Sequence, residues 1–333
     1  MHSPQTHPVP PTQPEPAAGA EQWTKAPERG SMAALRLIAW IATRFGRPLT
    51  RCLMHPIAAY FVVFNPAARR NVKRYLNRAL SRPARMGDVY RLFLRFATTV
   101  LDRVYFLKGF APGMFDLQVT GAQALHGNLH QGRGAFVVGA HLGSFEAIGA
   151  TGRHQQHVSD LRISMLMYPN NAQRVNAVLH ALAPPDQRPG IIALGRPTAM
   201  LALRDWLDSG GLAGMLADRT LPGQDAQADR HTRSALIAFL GRDAVFNDGP
   251  FRLAELLRRP VFFVAGLYEG GARYDVRFEL LADFSERATT MAEREQRILG
   301  AMQAYAARLE MLCRESPYNW FNFHDFWNED AIP

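Results

Sequence analysis

The stretch GRGAFVVGAHLGSFEAIGA, residues 132–150, holds the side chains best suited to chemistry. An apolar run, AFVVGA, leads into His141. Gly143 and Ser144 follow, then a helical pattern that carries Glu146. In open α/β sheets ligands gather at the carboxyl ends of strands. Imidazole is the side chain that changes charge near neutral pH, so a histidine at such an end is a candidate general base. The spacing H-x-x-x-x-E puts the two side chains on different faces of any one continuous helix. They meet only if His141 lies in the loop and Glu146 in the first helical turn. There the carboxylate accepts a proton from one ring nitrogen, fixes the tautomer and leaves the other nitrogen as a base. Gly143 lets a substrate approach the backbone closely. The structural alternatives are a strand-end histidine satisfied by backbone and an acid favoured at a helix N-terminus. The same spacing recurs at His324 and Glu329. That pair follows no strand and lies in an aromatic tail, so it reads as coincidence.

Other chemistries lack their residues. Ser144 is preceded by Leu142 and Gly143, so no G-x-S-x-G elbow is present. G-x-x-x-x-G-K is missing, and GRGAFV is a poor dinucleotide fingerprint. The two cysteines, Cys52 and Cys313, are far apart. They suggest neither a disulfide framework nor a metal site, and they fit a reducing compartment.

The elements around this segment predict an α/β fold: a mixed, largely parallel sheet with helices on both faces. The expected strands are FDLQVT, GAFVVGA, RISMLM, IIAL, LAGMLA, VFFVAGLY and YDVRFELL. Helical patterns alternate with them near 144–153, 172–182, 197–209, 250–258 and 287–314. We read residues 111–333 as this α/β domain. Residues 31–110 read as a helical, basic, membrane-associating region, and 1–30 as a disordered Pro-rich leader.

The charge is uneven. The chain of 333 residues carries +9 overall, yet Arg29 to Lys108 holds sixteen Lys/Arg against Asp88 and Asp102 alone. Within that part, MAALRLIAWIATRF and CLMHPIAAYFVVF are apolar segments interrupted by Gly46-Arg47-Pro48. No apolar run reaches the about 18 residues that an uninterrupted span requires. Short apolar helices flanked by arginine suit the plane of a membrane interface. A nucleic-acid partner would use the same charge, but not its interleaving with long apolar stretches, so none is expected.

Taken as ordered blocks, residues from about 110 to 327 resemble the bacterial lipid A biosynthesis acyltransferases of lauroyl/myristoyl type, within the lysophospholipid acyltransferase superfamily. His141 and Glu146 match the histidine–acid motif after its strand. MYPNNAQRVN, GMLADRTLPGQ, FLGRDAVFNDGPFRLAELLRRPVFFV and PYNWFNFHDFW match the later blocks in order. The resemblance implies transfer of a fatty acyl group from a thioester, on acyl carrier protein or coenzyme A, to a hydroxyl or amine of a lipid or glycolipid. His141 would be the base and Glu146 its orienting partner. Donors near Gly143 and Ser144 would hold the oxyanion. Arg174, Asp218 and Arg219 would lie at the substrate site, the arginines on phosphates. No cofactor or metal is implied, and the place of action would be the cytoplasmic face of an inner membrane, by peripheral attachment. The plainer readings stay open: Arg174 as a solvated helix residue, Asp218 as a strand cap, Arg219 as its ion-pair partner. So do a thioester hydrolase and a non-catalytic lipid-binding protein. The terminal aromatics, Trp320, Phe321, Phe323, Phe326 and Trp327, read as core packing.

Overall fold

A computed structural model describes residues 32–109, 113–154, 161–167, 190–194, 197–219 and 234–327, with residues 177, 182, 183 and 188. The Pro-rich leader, most of the helix expected over 172–182, Arg174 and Glu329 lie outside the described residues. The elements are α1 (Met32–Phe64), α2 (Pro66–Ala79), α3 (Met86–Leu107), β1 (Asp116–Thr120), α4 (Ala122–His130), β2 (Ala135–Gly139), α5 (Phe145–His154), β3 (Ile163–Met167), β4 (Gly190–Ala193), α6 (Pro197–Asp208), β5 (Leu212–Leu216), β6 (Ser234–Phe239), β7 (Arg242–Asn247), α7 (Gly249–Leu256), β8 (Pro260–Gly270), β9 (Arg273–Asp283) and α8 (Met291–Glu315).

Seven strands form one sheet in the order β1-β9-β8-β2-β5-β3-β4. Every neighbouring pair is parallel except β8 and β9. All seven correspond to expected strands. The central strand β2 is buried along its whole length, and its side chains alternate between two cores. Phe136 and Val138 join Leu203 of α6, Phe251 of α7 and Tyr305 of α8 on one face. Ala135 and Val137 join Leu101 of α3, Leu125 of α4 and Ala147 of α5 on the other. A strand covered on both sides has no polar face, which is why AFVVG is apolar throughout.

The β6–β7 hairpin has no counterpart among the expected strands. Its turn residues, Leu240 and Gly241, both have positive φ. Leucine is an uncommon choice there, so the sequence lacks the usual Asn-Gly turn signal. The fold holds the turn from outside, because the Leu240 N–H donates to Glu310 of α8 at 2.6 Å. Helix α4 is also additional to the expected helices; Gly127 and two histidines leave its apolar period weak.

Gly46, at φ +78°, breaks α1 into two rods, in line with the Gly46-Arg47-Pro48 sequence. Arg47 stays buried at the break. It donates to both oxygens of Asp102 in α3 at 2.7 Å and to the carbonyl of Gly271. The Tyr274 hydroxyl completes the cluster by donating to Asp102 at 2.8 Å. The α1 face toward the protein carries Ala39, Ala42, Met54, Ala58 and Val62, all buried. Its opposite face exposes Leu37, Trp40, Phe45, Leu49, Leu53, Tyr60, Val63 and Phe64. Among the described residues no helix is long and apolar enough to cross a membrane.

Candidate functional site

The site is built by two neighbouring parallel strands. In the β2–β5 pair Val138 lies opposite Met215 and Gly139 opposite Leu216. Ala217 continues the ladder, its N–H donating to the Gly139 carbonyl at 3.0 Å. Two residues beyond the last pair, the same register brings His141 level with Asp218. The Asp218 Oδ1 lies 2.9 Å from His141 Nδ1, and the His141 backbone N–H donates to Oδ2 at 2.9 Å. A third donor, the Trp320 indole Nε1–H, reaches Oδ2 at 3.0 Å.

The carboxyl group is buried, whereas His141 keeps 28% of its side chain exposed. Burial alone would push the Asp218 carboxyl up. The His141 ring beside it and the hydrogen bonds from His141, with the charge of Arg219, hold it well below the usual carboxylate range instead. An ionised carboxylate can only accept, so Nδ1 carries the proton in this contact. Nε2 is thereby left with its lone pair free, the arrangement a general base requires.

The carboxylate bonded to His141 is that of Asp218, and Glu146 makes other contacts. It stands in the first turn of α5, as expected, but its carboxylate is turned to α3. Arg103 Nε lies 2.5 Å from Oε1, and the Ser144 hydroxyl donates to Oε2 at 3.3 Å. The loop between His141 and α5 explains the divergence. Leu142 makes an antiparallel bridge with Trp320, and Gly143 bridges to Gly266 of β8. The imidazole is thus held over β5 while α5 sets off over β8.

Gly143 and Ser144 also differ from expectation. The Gly143 N–H donates to the Asn319 carbonyl at 2.9 Å and the Ser144 N–H to the Gly266 carbonyl at 2.8 Å. Neither amide is available to an oxyanion. Gly143 has φ +72°, and a Cβ there would lie 2.0 Å from the Gly266 oxygen. Its glycine is required by the close approach of β8, not of a substrate. Ser144 is buried and caps α5, its hydroxyl accepting the Ala147 N–H at 3.2 Å.

Arg219 follows Asp218 directly and is exposed beside the His141–Asp218 pair. Trp320, Phe321, Phe326 and Trp327 are buried, in keeping with core packing, while Phe323 is half-buried. Trp320 does more than pack, because it also binds the site carboxylate. His324, set aside on sequence grounds, comes back into view. Its ring is pushed down to a pKa of about 4 by burial first, then by the charges of Arg219 and His141, against the opposing pull of Asp218.

The signal for Asp218 is present in the sequence. LAGMLA and AFVVGA each run into one titratable residue. Reading the two as partners needs the strand order, which puts β5 rather than β3 beside β2. Arg103 carries no local signal. The chain matches no family model, and no curated protein matches it.

Proposed function

We propose that this protein transfers an acyl group from a thioester of acyl carrier protein or coenzyme A to a hydroxyl or amine of a lipid acceptor. The reading rests chiefly on one observation: an imidazole whose Nδ1 is held on a buried, ionised Asp218 while the side chain keeps 28% exposure. The ordered blocks shared with lipid A acyltransferases support it. His141 Nε2 removes the acceptor's proton as the acceptor oxygen or nitrogen attacks the carbonyl carbon. The tetrahedral intermediate then expels the thiolate, which takes that proton back from the imidazolium. Asp218 keeps the tautomer and stabilises the transient cation. Arg219 is positioned for a phosphate of donor or acceptor.

The test is product identification. Purified protein, given palmitoyl-coenzyme A or palmitoyl-acyl carrier protein and a total bacterial lipid extract, is expected to release free thiol. It should also yield a new acylated lipid by mass spectrometry. Thiol release with free palmitate as the sole product would make the protein a hydrolase.

We further propose that α1 lies on the membrane surface, the inner membrane's cytoplasmic side in the family it resembles. An outward helix face on a folded protein is ordinarily polar, whereas this one is apolar and interspersed with the exposed Arg44. The protein is expected to co-sediment with phosphatidylglycerol vesicles. Replacing Trp40, Phe45 and Leu49 together by serine should abolish most of that binding. Raising salt to about 1 M, where screening acts within about 3 Å, should weaken it only in part. Full salt sensitivity would reduce the contact to charge alone.

A further inference from the structure

We infer that Trp320 is a positioning residue of the His141–Asp218 pair: its indole N–H holds one carboxylate oxygen and so sets how the other holds the imidazole. This rests on the acyl-transfer reading above. Asp218 divides its two oxygens between separate tasks. Oδ1 faces His141 Nδ1 at 2.9 Å. Oδ2 accepts the His141 backbone N–H at 2.9 Å and the Trp320 Nε1–H at 3.0 Å. The backbone donor is fixed by strand register. Among the described residues the indole is the one side-chain donor to Oδ2.

The indole is held from every side. Trp320 is fully buried. Its ring stands edge-on to Tyr75 of α2 at 4.8 Å between centroids, to Phe239 of β6 at 5.5 Å and to Phe326 at 5.0 Å. Its backbone is bridged to Leu142, and the next residue, Phe321, donates its N–H to the His141 carbonyl at 2.7 Å. The residue before it, Asn319, accepts the Gly143 N–H on its carbonyl. The Asn319 side chain accepts the Tyr268 N–H in β8 at 2.9 Å and donates to the Tyr268 carbonyl at 3.2 Å. One short segment therefore fixes the backbone of the histidine and, through the indole, its carboxylate. A ring held for packing alone needs no such bond. Trp327, in the same aromatic cluster, is buried with its Nε1 unpartnered.

The consequence is electrostatic as well as geometric. A donor on a carboxylate oxygen draws on its charge. With the indole in place, less charge is left on Oδ1 to stabilise an imidazolium. Without it the imidazolium is held more tightly, and the neutral base forms only at higher pH. Other groups influenced by Asp218 do not change state near neutral pH. Arg219 stays charged. Tyr305 and Cys313 of α8 are pushed up by burial, and burial first pushes His324 down to about 4.

The experiment compares Trp320→Phe, Trp327→Phe and His141→Ala with the wild type. The readouts are thiol release from palmitoyl-coenzyme A with lipid extract across about pH 5 to 9, where an imidazole titrates, product identity and thermal unfolding. Both phenylalanine variants lose packing and should melt earlier. Trp320→Phe should in addition lower kcat/KM at neutral pH by about 10–100-fold, the loss typical of outer partners that orient a working histidine. It should also move the acid inflection of the kcat/KM profile upward by about half a pH unit or more. Trp327→Phe should leave that inflection in place. If Trp320→Phe does not fold, the benzothiophene counterpart of the indole at position 320 repeats the test, because it keeps both rings and lacks the N–H. An inflection unmoved by loss of the N–H, or moved equally in Trp327→Phe, would overturn the inference and leave the acyl-transfer reading standing. A wild type that yields free palmitate alone, or a fully active His141→Ala, would overturn that reading itself.

Discussion

Asp218→Asn is expected to lower the acyl-transfer rate by about 10⁴-fold while the protein stays folded, the factor that a wrong tautomer costs in a comparable acid–histidine pair. The reason lies in how the two carboxylate oxygens are used. Oδ2 accepts from the His141 backbone N–H and the Trp320 indole, so the amide oxygen of the substituted side chain must take that place. The amide nitrogen then faces His141 Nδ1 as a donor. Nδ1 has to become an acceptor, the ring proton moves to Nε2, and the lone pair needed for proton abstraction is lost. Every buried polar atom of this contact keeps a partner in the variant, so misfolding is not the expected cause. Steady-state rates with near-native melting would check this. Glu146→Gln is the control: it weakens an ion pair with Arg103 on the far side of the loop and should cost much less. A larger loss in Glu146→Gln than in Asp218→Asn would show that the sequence pairing of His141 with Glu146 describes the working enzyme after all.

His141→Ala is expected to remove general-base assistance, worth roughly 10²–10⁴-fold, without loss of membrane binding. The ring is partly exposed and its backbone contacts to Asp218 and Phe321 do not need the side chain. Asp218 does lose its Oδ1 partner, so a modest fall in melting temperature should accompany the kinetic loss. Because the two residues act as one unit, the double variant His141→Ala, Asp218→Asn should be little slower than His141→Ala alone. Additive losses would mean that Asp218 acts independently of the imidazole, for instance directly on the acceptor. Full activity in the folded single variant would remove His141 from the mechanism.

The acid side of stability follows from the same contact. The Asp218 pKa is depressed in the folded state, so its contribution to stability is complete above the unfolded carboxylate range, near about 4. It is lost as pH falls through the lower folded value. Asp218→Asn should therefore flatten the acid limb of the stability profile.

Local pattern determined much of this protein. The seven sheet strands, the break at Gly46 and His141 at a strand's end were all legible. Each is a consequence of apolar periodicity or of one residue's backbone restriction, and both act over a few neighbours. What joins distant segments was not legible. Strand order decided that LAGMLA lies beside AFVVGA, and a parallel register of two-residue overrun then made Asp218, seventy-seven positions away, the partner of His141. Nearness in sequence favoured Glu146, but the bridges of Leu142 to Trp320 and Gly143 to Gly266 steer α5 toward Arg103. Those same bridges consume the amides of Gly143 and Ser144 and draw the aromatic tail, at Asn319 to Phe321, onto the site. Hydrogen-bond partners between strands are set by which chain segments pack together, and that packing is a property of the whole core rather than of any local stretch.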